Sequence, residues 1–261
     1  MIKNYFKIAW RNLFRNKVFS ITNILGLTIS IACTIFIFLW VQDELSYDRF
    51  HKNYNDIYEV YANRNFNNQI LTDNTMVFPL ASALANAYPQ VKSAVVTSGQ
   101  EPHVLSVDNE KKKLKKNGYT VSKNFFDVFS WVFVQGNTTS AIADPSSVVL
   151  TASSAKAFFG DADPINKTVR IDDNRNYRVS AVVNDIPGNS TLQFDYIIPF
   201  NYSDDEVKRN LNEWTNSSWN VYLQTVPGTD IEALNKNITD VEKQHSPNDK
   251  LTSYFAFPIS K

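Results

Sequence analysis

The stretch Val18–Gln42 contains no charged side chain. It is about 25 residues long, and about 20 helical residues cross a bilayer core. Its polar members Ser20, Thr22, Asn23, Thr28, Ser30 and Thr34 are mostly small. Ser and Thr can satisfy themselves on the helix backbone, and small residues permit close contact with neighbouring helices. A cleaved secretion signal has an apolar region of about 7–15 residues followed by a small-residue site. Here the apolar run continues through Thr34–Val41. Ser30-Ile31-Ala32-Cys33 approaches a lipoprotein cleavage box, but it lacks a Leu three before the cysteine and apolar sequence follows it. The stretch reads as a retained membrane span over residues 18–42.

Ahead of the span, Lys3, Lys7, Arg11 and Arg15 recur at every fourth residue, with Lys17 behind them. On a helix this spacing makes one drifting basic stripe. Ile2, Phe6, Ala9, Trp10, Leu13 and Phe14 fill much of the rest. Residues 1–17 therefore read as an amphipathic helix on anionic lipid headgroups. Lys3, Lys7, Trp10, Arg11, Arg15 and Lys17 are its topology-setting and interfacial residues. The positive-inside rule puts this end in the cytoplasm and residues 43 onward outside.

The formal net charge of the chain is zero, but residues 1–42 hold five basic side chains and no acidic one. The rest carries the balancing excess of acid. A mildly acidic body does not suit nucleic acid, because phosphate binding needs a basic face. The one cysteine, Cys33, lies inside the apolar run. The body can form no disulfide and has no thiolate for metal or catalysis.

The body, residues 43–261, mixes strands and helices without regular alternation, which defines an α+β class. Strands are expected at Ile57–Phe66, Val91–Thr97, His103–Val107, Lys112–Val121, Ser147–Leu150, Lys167–Ile171, Tyr177–Asn184, Gln193–Phe200, Trp219–Val226 and Leu251–Ile259. Helices are expected at Met76–Tyr88, at Ala152–Phe159 capped by Thr151 and ended by Gly160, and from Gly228 to about His245. The aromatic patch in Asn124–Val134 reads as a buried helix-turn segment. The pattern suggests two subdomains, the second a β-rich part of about residues 101–190 inserted into the first.

Little in the sequence has the spacing of catalysis. His51, His103 and His245 stand far apart, without partners at metal-ligand spacing, and read as surface histidines. Residues 160–168, GDADPINKT, approach a phosphate-binding loop. The spacing is one residue too long, Asn166 stands where the second Gly should, and the order is helix-to-strand. A phosphate loop needs strand-to-helix, so that the helix N-terminus faces the anion. The lysine run of residues 110–116 reads as a solvated hairpin edge. Trp214 and Trp219 read as core or domain-joint residues.

Several stretches together resemble the MacB/FtsX-like ABC transporter permeases of the Bacteroidetes type. They are NYFKIAWRNLFRNK, ITNILGLTISIA and VQDELSYDRFHKNYNDIYEV, followed by FPLASALANAYPQV, SKNFFDVFSWVFVQGN, DPSSVVLTASSAKAFFGDADPINKTVRI, YRVSAVVNDIPGNSTLQFDYIIPF and WNVYLQTVPGTDIEAL. The resemblance covers nearly the whole chain. It implies the first span and a MacB-like periplasmic core domain, with a porter-like α+β part and an inserted β-rich part. It marks Asp43, Glu44, Tyr47 and Asp48 as the motif after the span. It implies an inner-membrane export component without an active site or cofactor of its own, ATP being bound by a separate cytoplasmic ABC ATPase. Implied partners are that ATPase, further permease spans or a second permease copy, a periplasmic adaptor and membrane lipid. Motion driven by ATP would pass to the outer domain and export peptides, lipoproteins or toxic compounds. The first helix would then act as a stiff rod over Val18–Leu45.

Two departures from the family pattern stand out. Asn166 replaces the usual Gly of the P-I-G-K-T turn, and Asn is the next best residue for a left-handed conformation. The sequence stops at Lys261, about where a second span is expected, which implies either a piece of a longer permease or a reduced single-span protein. The alternatives are a single-span binding or assembly module without transport, and a membrane-anchored periplasmic enzyme, for which the residue spacing offers no acid–base pair.

Overall fold

The computed structural model describes residues 2–67, 69–107, 112–245 and 252–260. Glu110 and Lys111 of the lysine run, and Leu251 of the last expected strand, lie outside the described residues. The chain divides into two compact units, Met1–Ser46 and Tyr47–Lys261.

The first unit is two helices, α1 (Ile2–Arg15) and α2 (Lys17–Glu44). They part at Asn16, whose φ of −112° and ψ of 58° leave the helical region. α2 starts one residue earlier than the expected span and runs two residues further, closing at Leu45. In lipid every backbone polar group must be paired internally, which a helix achieves. The side chains follow the same logic. Thr22 donates to the Val18 carbonyl at 2.9 Å, Thr28 to Ile24 at 2.7 Å, Ser30 to Gly26 at 2.8 Å and Thr34 to Ser30 at 2.9 Å. α2 is the one helix among the described residues long and apolar enough to cross a membrane.

The second unit contains, in chain order, β1 (Ile57–Phe66), β2 (Gln69–Asp73), β3 (Met76–Val77), α3 (Leu80–Ala87), β4 (Val91–Ser98), β5 (Glu101–Val107) and β6 (Lys112–Val121). Then come α4 (Phe125–Val128), β7 (Phe133–Gln135), α5 (Thr138–Ala141), β8 (Ser147–Thr151), α6 (Ala152–Phe159), β9 (Thr168–Ile171), β10 (Arg175–Val183) and β11 (Tyr196–Pro199). α7 (Asp205–Asn210), β12 (Ser217–Thr225), α8 (Ile231–Ile238), α9 (Val241–His245) and β13 (Thr252–Pro258) complete it.

Four long strands form one half, in the order β4-β12-β1-β13 and antiparallel throughout. α3 lies between β1 and β4 in the chain, and α8 and α9 lie between β12 and β13. This is a split β-α-β pattern of the ferredoxin-like kind. One face carries Tyr58, Val60, Val96, Val221, Leu223 and Tyr254. These pack on Leu80 and Leu84 of α3, Leu234 and Ile238 of α8, and Val241 of α9. Alternation along the strands supplies that face, and the apolar stripe of each helix covers it.

Between β4 and β12 the chain makes a closed ring of six strands. β6 pairs with β5, β5 with β9, β9 with β10, β10 with β8, β8 with β11, and β11 returns to β6 in parallel. Leu105, Val148, Leu150, Val169, Ile171, Val179 and Tyr196 share its core, and α6 adds Ala155 and Phe158. Gly118 makes the closure sterically possible. A Cβ there would sit 2.4 Å from the Tyr196 ring, directly across the β6–β11 pair. A third cluster joins the ring to the four-stranded half. It contains Ile57, Val95 and Tyr222 from the half and Val149, Ala181 and Ile197 from the ring. Phe125, Phe126, Phe129 and Trp131 of the aromatic patch complete it, buried as expected.

Three expectations are corrected. The helix expected at Met76–Tyr88 begins only at Leu80. Met76 and Val77 pair with β12, and Pro79 occupies the position before the helix. The helix expected over 228–245 is broken between Ile238 and Val241. The strand expected at Gln193–Phe200 is limited to Tyr196–Pro199, because Gln193 turns back to the Pro187 and Ser190 carbonyls. β2, α5 and α7 carry no clear periodic signal and were not expected. The Asn166 turn is as expected: its φ is +63°. Thr151 caps α6 by accepting from the Ser154 amide at 3.3 Å, and Gly160 ends α6 with a φ of +63°.

Candidate functional site

Leu45 closes α2, and the second unit starts at Tyr47. Asp43 and Glu44 of the post-span motif are exposed in the last turn of α2. No basic residue shares that turn, although cations suit a helix C-terminus better. Tyr47 is half-buried and Asp48 is 2% exposed.

A carboxylate buried to that degree needs donors, and Asp48 has them. One oxygen accepts from the Ser190 hydroxyl at 3.1 Å and the Thr191 amide at 3.0 Å. The other accepts from the Thr191 hydroxyl at 2.5 Å. Its own amide donates to the Asn189 carbonyl at 2.9 Å, and its carbonyl accepts from the His51 amide at 3.1 Å. To place all five bonds the backbone adopts a φ of +55°, which Asp tolerates better than most residues. Three charge-assisted bonds reach across 142 and 143 positions of sequence. The motif residue is thus a clasp. It fixes the segment after the span to the loop that precedes β11.

His51 makes the second half of the clasp. It is 2% exposed, which corrects the expectation of a surface histidine. Its Nδ1 accepts from the Ser130 amide at 3.1 Å, so that nitrogen carries no proton. The ring lies among Phe50 at 4.2 Å, Trp131 at 4.8 Å and Phe129 at 5.2 Å. Burial in this aromatic nest lowers its pKa to about 4. The Lys52 amide adds a bond to the Ser130 hydroxyl at 3.3 Å. Among the described residues the buried Trp131 Nε1 has no hydrogen-bond partner.

The last strand returns to the same place. Tyr58 stands opposite Pro258, and the Ile259 amide donates to the Ile57 carbonyl at 3.2 Å. The beginning of β1 and the end of β13 are therefore side by side next to the clasp.

The other candidates lie elsewhere. Lys3, Lys7, Trp10, Arg11 and Arg15 are exposed on α1, with Lys17 at the start of α2; the Trp10 and Phe14 rings are 5.4 Å apart. Lys113 and Lys116 on β6 pair with Asp173 at 3.1 Å and Asp195 at 2.9 Å. His245 is exposed and stacks on Trp214 at 3.9 Å, while Trp219 packs on the helical core. Among the described residues no three His, Cys, Asp or Glu side chains gather as metal ligands. Sequence reasoning marked Asp48 through the family motif but missed Ser190, Thr191 and His51. The stretch Pro187-Gly188-Asn189 was legible as a turn, but not as the clasp's receiving loop.

A long apolar helix, long enough to cross a membrane, is followed by a split α+β half with an inserted six-stranded ring. The family described as the MacB-like periplasmic core domain matches residues 20–241, and the chain belongs to that family. Its fold is shared by a domain assigned to a permease protein from Porphyromonas gingivalis. That match has 22% identity and a TM-score of 0.67, and covers 80% of this chain and 92% of that one. The periplasmic region of MacB from Actinobacillus actinomycetemcomitans is 20% identical with a TM-score of 0.54, covering 78% and 89%. The extracellular domain of the noncanonic ABC-type transporter YknZ from Gram-positive bacteria is 12% identical with a TM-score of 0.55, covering 77% and 99%. No curated protein matches.

Proposed function

We propose that this chain is an inner-membrane component of an ABC export permease, with its N-terminus in the cytoplasm and residues 47–261 in the periplasm. Its outer domain passes on motion originating at a separate cytoplasmic ABC ATPase; it performs no chemistry of its own. The family membership supports the class of protein. The observation that carries the mechanism is the Asp48 clasp. Only Ser46 and Tyr47 separate the helix cap at Leu45 from Asp48, a tether of at most about 10 Å. A displacement of the α2 end larger than that slack must pull on Asp48 at any angle between the two units. Asp48 hands the load to Ser190 and Thr191, and His51 hands it to Ser130. Both receiving segments flank the cluster that joins the ring to the four-stranded half. On this reading the part of about 101–190, with β11, is the moving arm. The basic face of α1 rests on lipid headgroups.

The test is isolation of the tagged chain from its native membranes. An ABC ATPase subunit is expected to copurify. Adding ATP is expected to change hydrogen-exchange protection in residues 187–192, and Asp48→Ala is expected to abolish that change while ATP turnover persists. Absence of any ABC ATPase, or an ATP response that survives Asp48→Ala, contradicts the proposal. A cysteine at Ser46 is expected to react with an impermeant thiol reagent from outside the cytoplasmic membrane. Protection there, with labelling of a cysteine at Asn4 instead, reverses the orientation.

A further inference from the structure

The short tether that loads Asp48 also limits how far the body can stand from lipid. At any angle between the two units, Asp48 stays within about 10 Å of the helix cap at Leu45. The uncharged run ends at Gln42, just before that cap. Headgroups extend about 5–8 Å beyond the hydrocarbon core on each side of a bilayer. If α2 spans the membrane, the surface around Asp48 is within reach of headgroups.

That surface carries two cations and two apolar side chains. Arg49 and Lys52 are exposed on either side of the buried His51. Among the described residues neither side chain has a carboxylate partner. Ser130 binds this turn to the next segment: its amide donates to His51 Nδ1 at 3.1 Å, and its hydroxyl accepts from the Lys52 amide at 3.3 Å. Val132 is the next residue but one, so its Cα lies within about 7 Å of that of Ser130. Val132 is 63% exposed and Val134, in β7, is 53% exposed. Phe133 between them turns inward onto Phe126, their rings 5.1 Å apart, so strand alternation puts both valines on the outer side. Cations beside exposed apolar side chains match a lipid surface, with phosphate outermost and hydrocarbon beneath. Asp43 and Glu44, just before the cap, oppose a net negative surface. The contact is therefore to the phosphate oxygens that every phospholipid carries, which accept charge-assisted bonds from Arg and Lys.

We propose that the Arg49–Lys52 turn and the Val132–Val134 segment dock the body on the phospholipid surface from which α2 emerges. Arg49 and Lys52 hold headgroup phosphates, and the two valines enter the layer below. The docking rests on α2 being a span and on nothing else in the export reading: no ATPase, substrate or orientation enters it. Weak contacts suffice, because the tether keeps the lipid at a high effective concentration.

The test is fluorescence quenching of the full chain in phosphatidylcholine nanodiscs. Val132→Cys, Val134→Cys and Ile70→Cys are made singly in a Cys33→Ser background, and each carries a bimane. Ile70 is the comparison site: it is 70% exposed and stands opposite Asn65, about 26 Å along β1 from Ile57. A lipid with a nitroxide on its headgroup is expected to quench the probes at 132 and 134 at least about threefold more than the probe at 70. Arg49→Gln/Lys52→Gln, two exposed substitutions, is expected to bring that quenching down to the level at 70. Bimane on the native Cys33, with a nitroxide on the acyl chain, reads the span by itself. Quenching at Cys33 but none in excess at 132 and 134 overturns the docking and leaves the span standing; no quenching at Cys33 overturns both. Probes at 132 and 134 that are shielded from aqueous iodide yet untouched by the lipid quencher would give this face to a second copy of the chain and overturn lipid docking. Quenching unchanged in Arg49→Gln/Lys52→Gln overturns the part assigned to the two cations.

Discussion

The ring and the four-stranded half deal with free strand edges differently. The ring closes on itself through β11, which pairs with β8 on one side and β6 on the other. It is built from one uninterrupted stretch of chain. The half stays open and covers one face with helices. Its central pair, β1 and β12, comes from distant parts of the sequence, and its edge strand β13 lies beside the start of β1. A closed ring resists deformation because every strand has two neighbours. The open half brings the start of β1 and the end of β13 together at one corner. On the proposed reading, load entering at Asp48 would meet one closed part and one open part. If the domain passes on motion as proposed, the joint between them, not either core, is where that motion would be expressed.

Breaking the clasp should have the largest effect. Asp48→Ala leaves both Thr191 donors without their acceptor, in surroundings where such losses cost about 1–3 kcal/mol each, while the Ser190 hydroxyl keeps the Leu192 carbonyl at 3.3 Å. We expect a loss of about 4 kcal/mol in denaturant unfolding of the detergent-solubilised chain. Asp48→Asn should lose less. Stability within about 0.5 kcal/mol of the parent would remove the clasp from the account.

Next comes the ring itself. Gly118→Ala puts a methyl group against the Tyr196 ring, which is 1% exposed and has no room to retreat. A loss of about 3 kcal/mol is expected, in the range of overpacked cores. If the ring is stiff, this loss should not be recovered by relaxation, and a combined Gly118→Ala/Asp48→Ala chain should show additive losses. Strong coupling would mean that ring and clasp are not the separate parts described.

The third effect depends on pH. The unfolded His51 has a pKa of about 6.5 and the folded one about 4. Between these values the unfolded chain binds more protons, so stability rises with pH across this window. The contribution is full above about pH 6.5 and falls as the pH drops towards 4, by up to about 3 kcal/mol. His51→Asn keeps an acceptor for the Ser130 amide and removes the titration. The difference between parent and variant should therefore shrink or reverse from pH 7 to pH 4.5. A difference independent of pH would place the imidazole outside the aromatic nest.

The smallest effect is expected at Asn166→Gly. The residue already holds a φ of +63°, which costs Asn little and glycine nothing. A change within about 0.5 kcal/mol is expected; a large loss would mean that the Asn side chain does more than permit the turn.

The long helix α2 was legible because an uncharged apolar run of about 25 residues suits a continuous helix long enough to cross a bilayer. Most strands were legible through β-branched and aromatic alternation. Closure of the ring was not. It depends on parallel pairing of Gly118–Val121 with Tyr196–Pro199, and neither segment marks its partner. Met76 and Val77 were read into a helix but were claimed by β12, a tertiary override of local pattern. Asp48 could be singled out but not explained, because its donors lie over 140 positions away. His51 misled for the same reason. Only Phe50 adjoins it in sequence, while Phe129 and Trp131 arrive through folding.

The most direct measurement is hydrogen exchange of the full chain in nanodiscs, comparing the parent with Asp48→Ala. The account predicts that residues 47–52 and 187–192 lose protection together, while β5, β6 and β9 of the ring keep theirs. Loosening of 47–52 alone, or of neither segment, would contradict the claim that the span is tied to the body through Asp48.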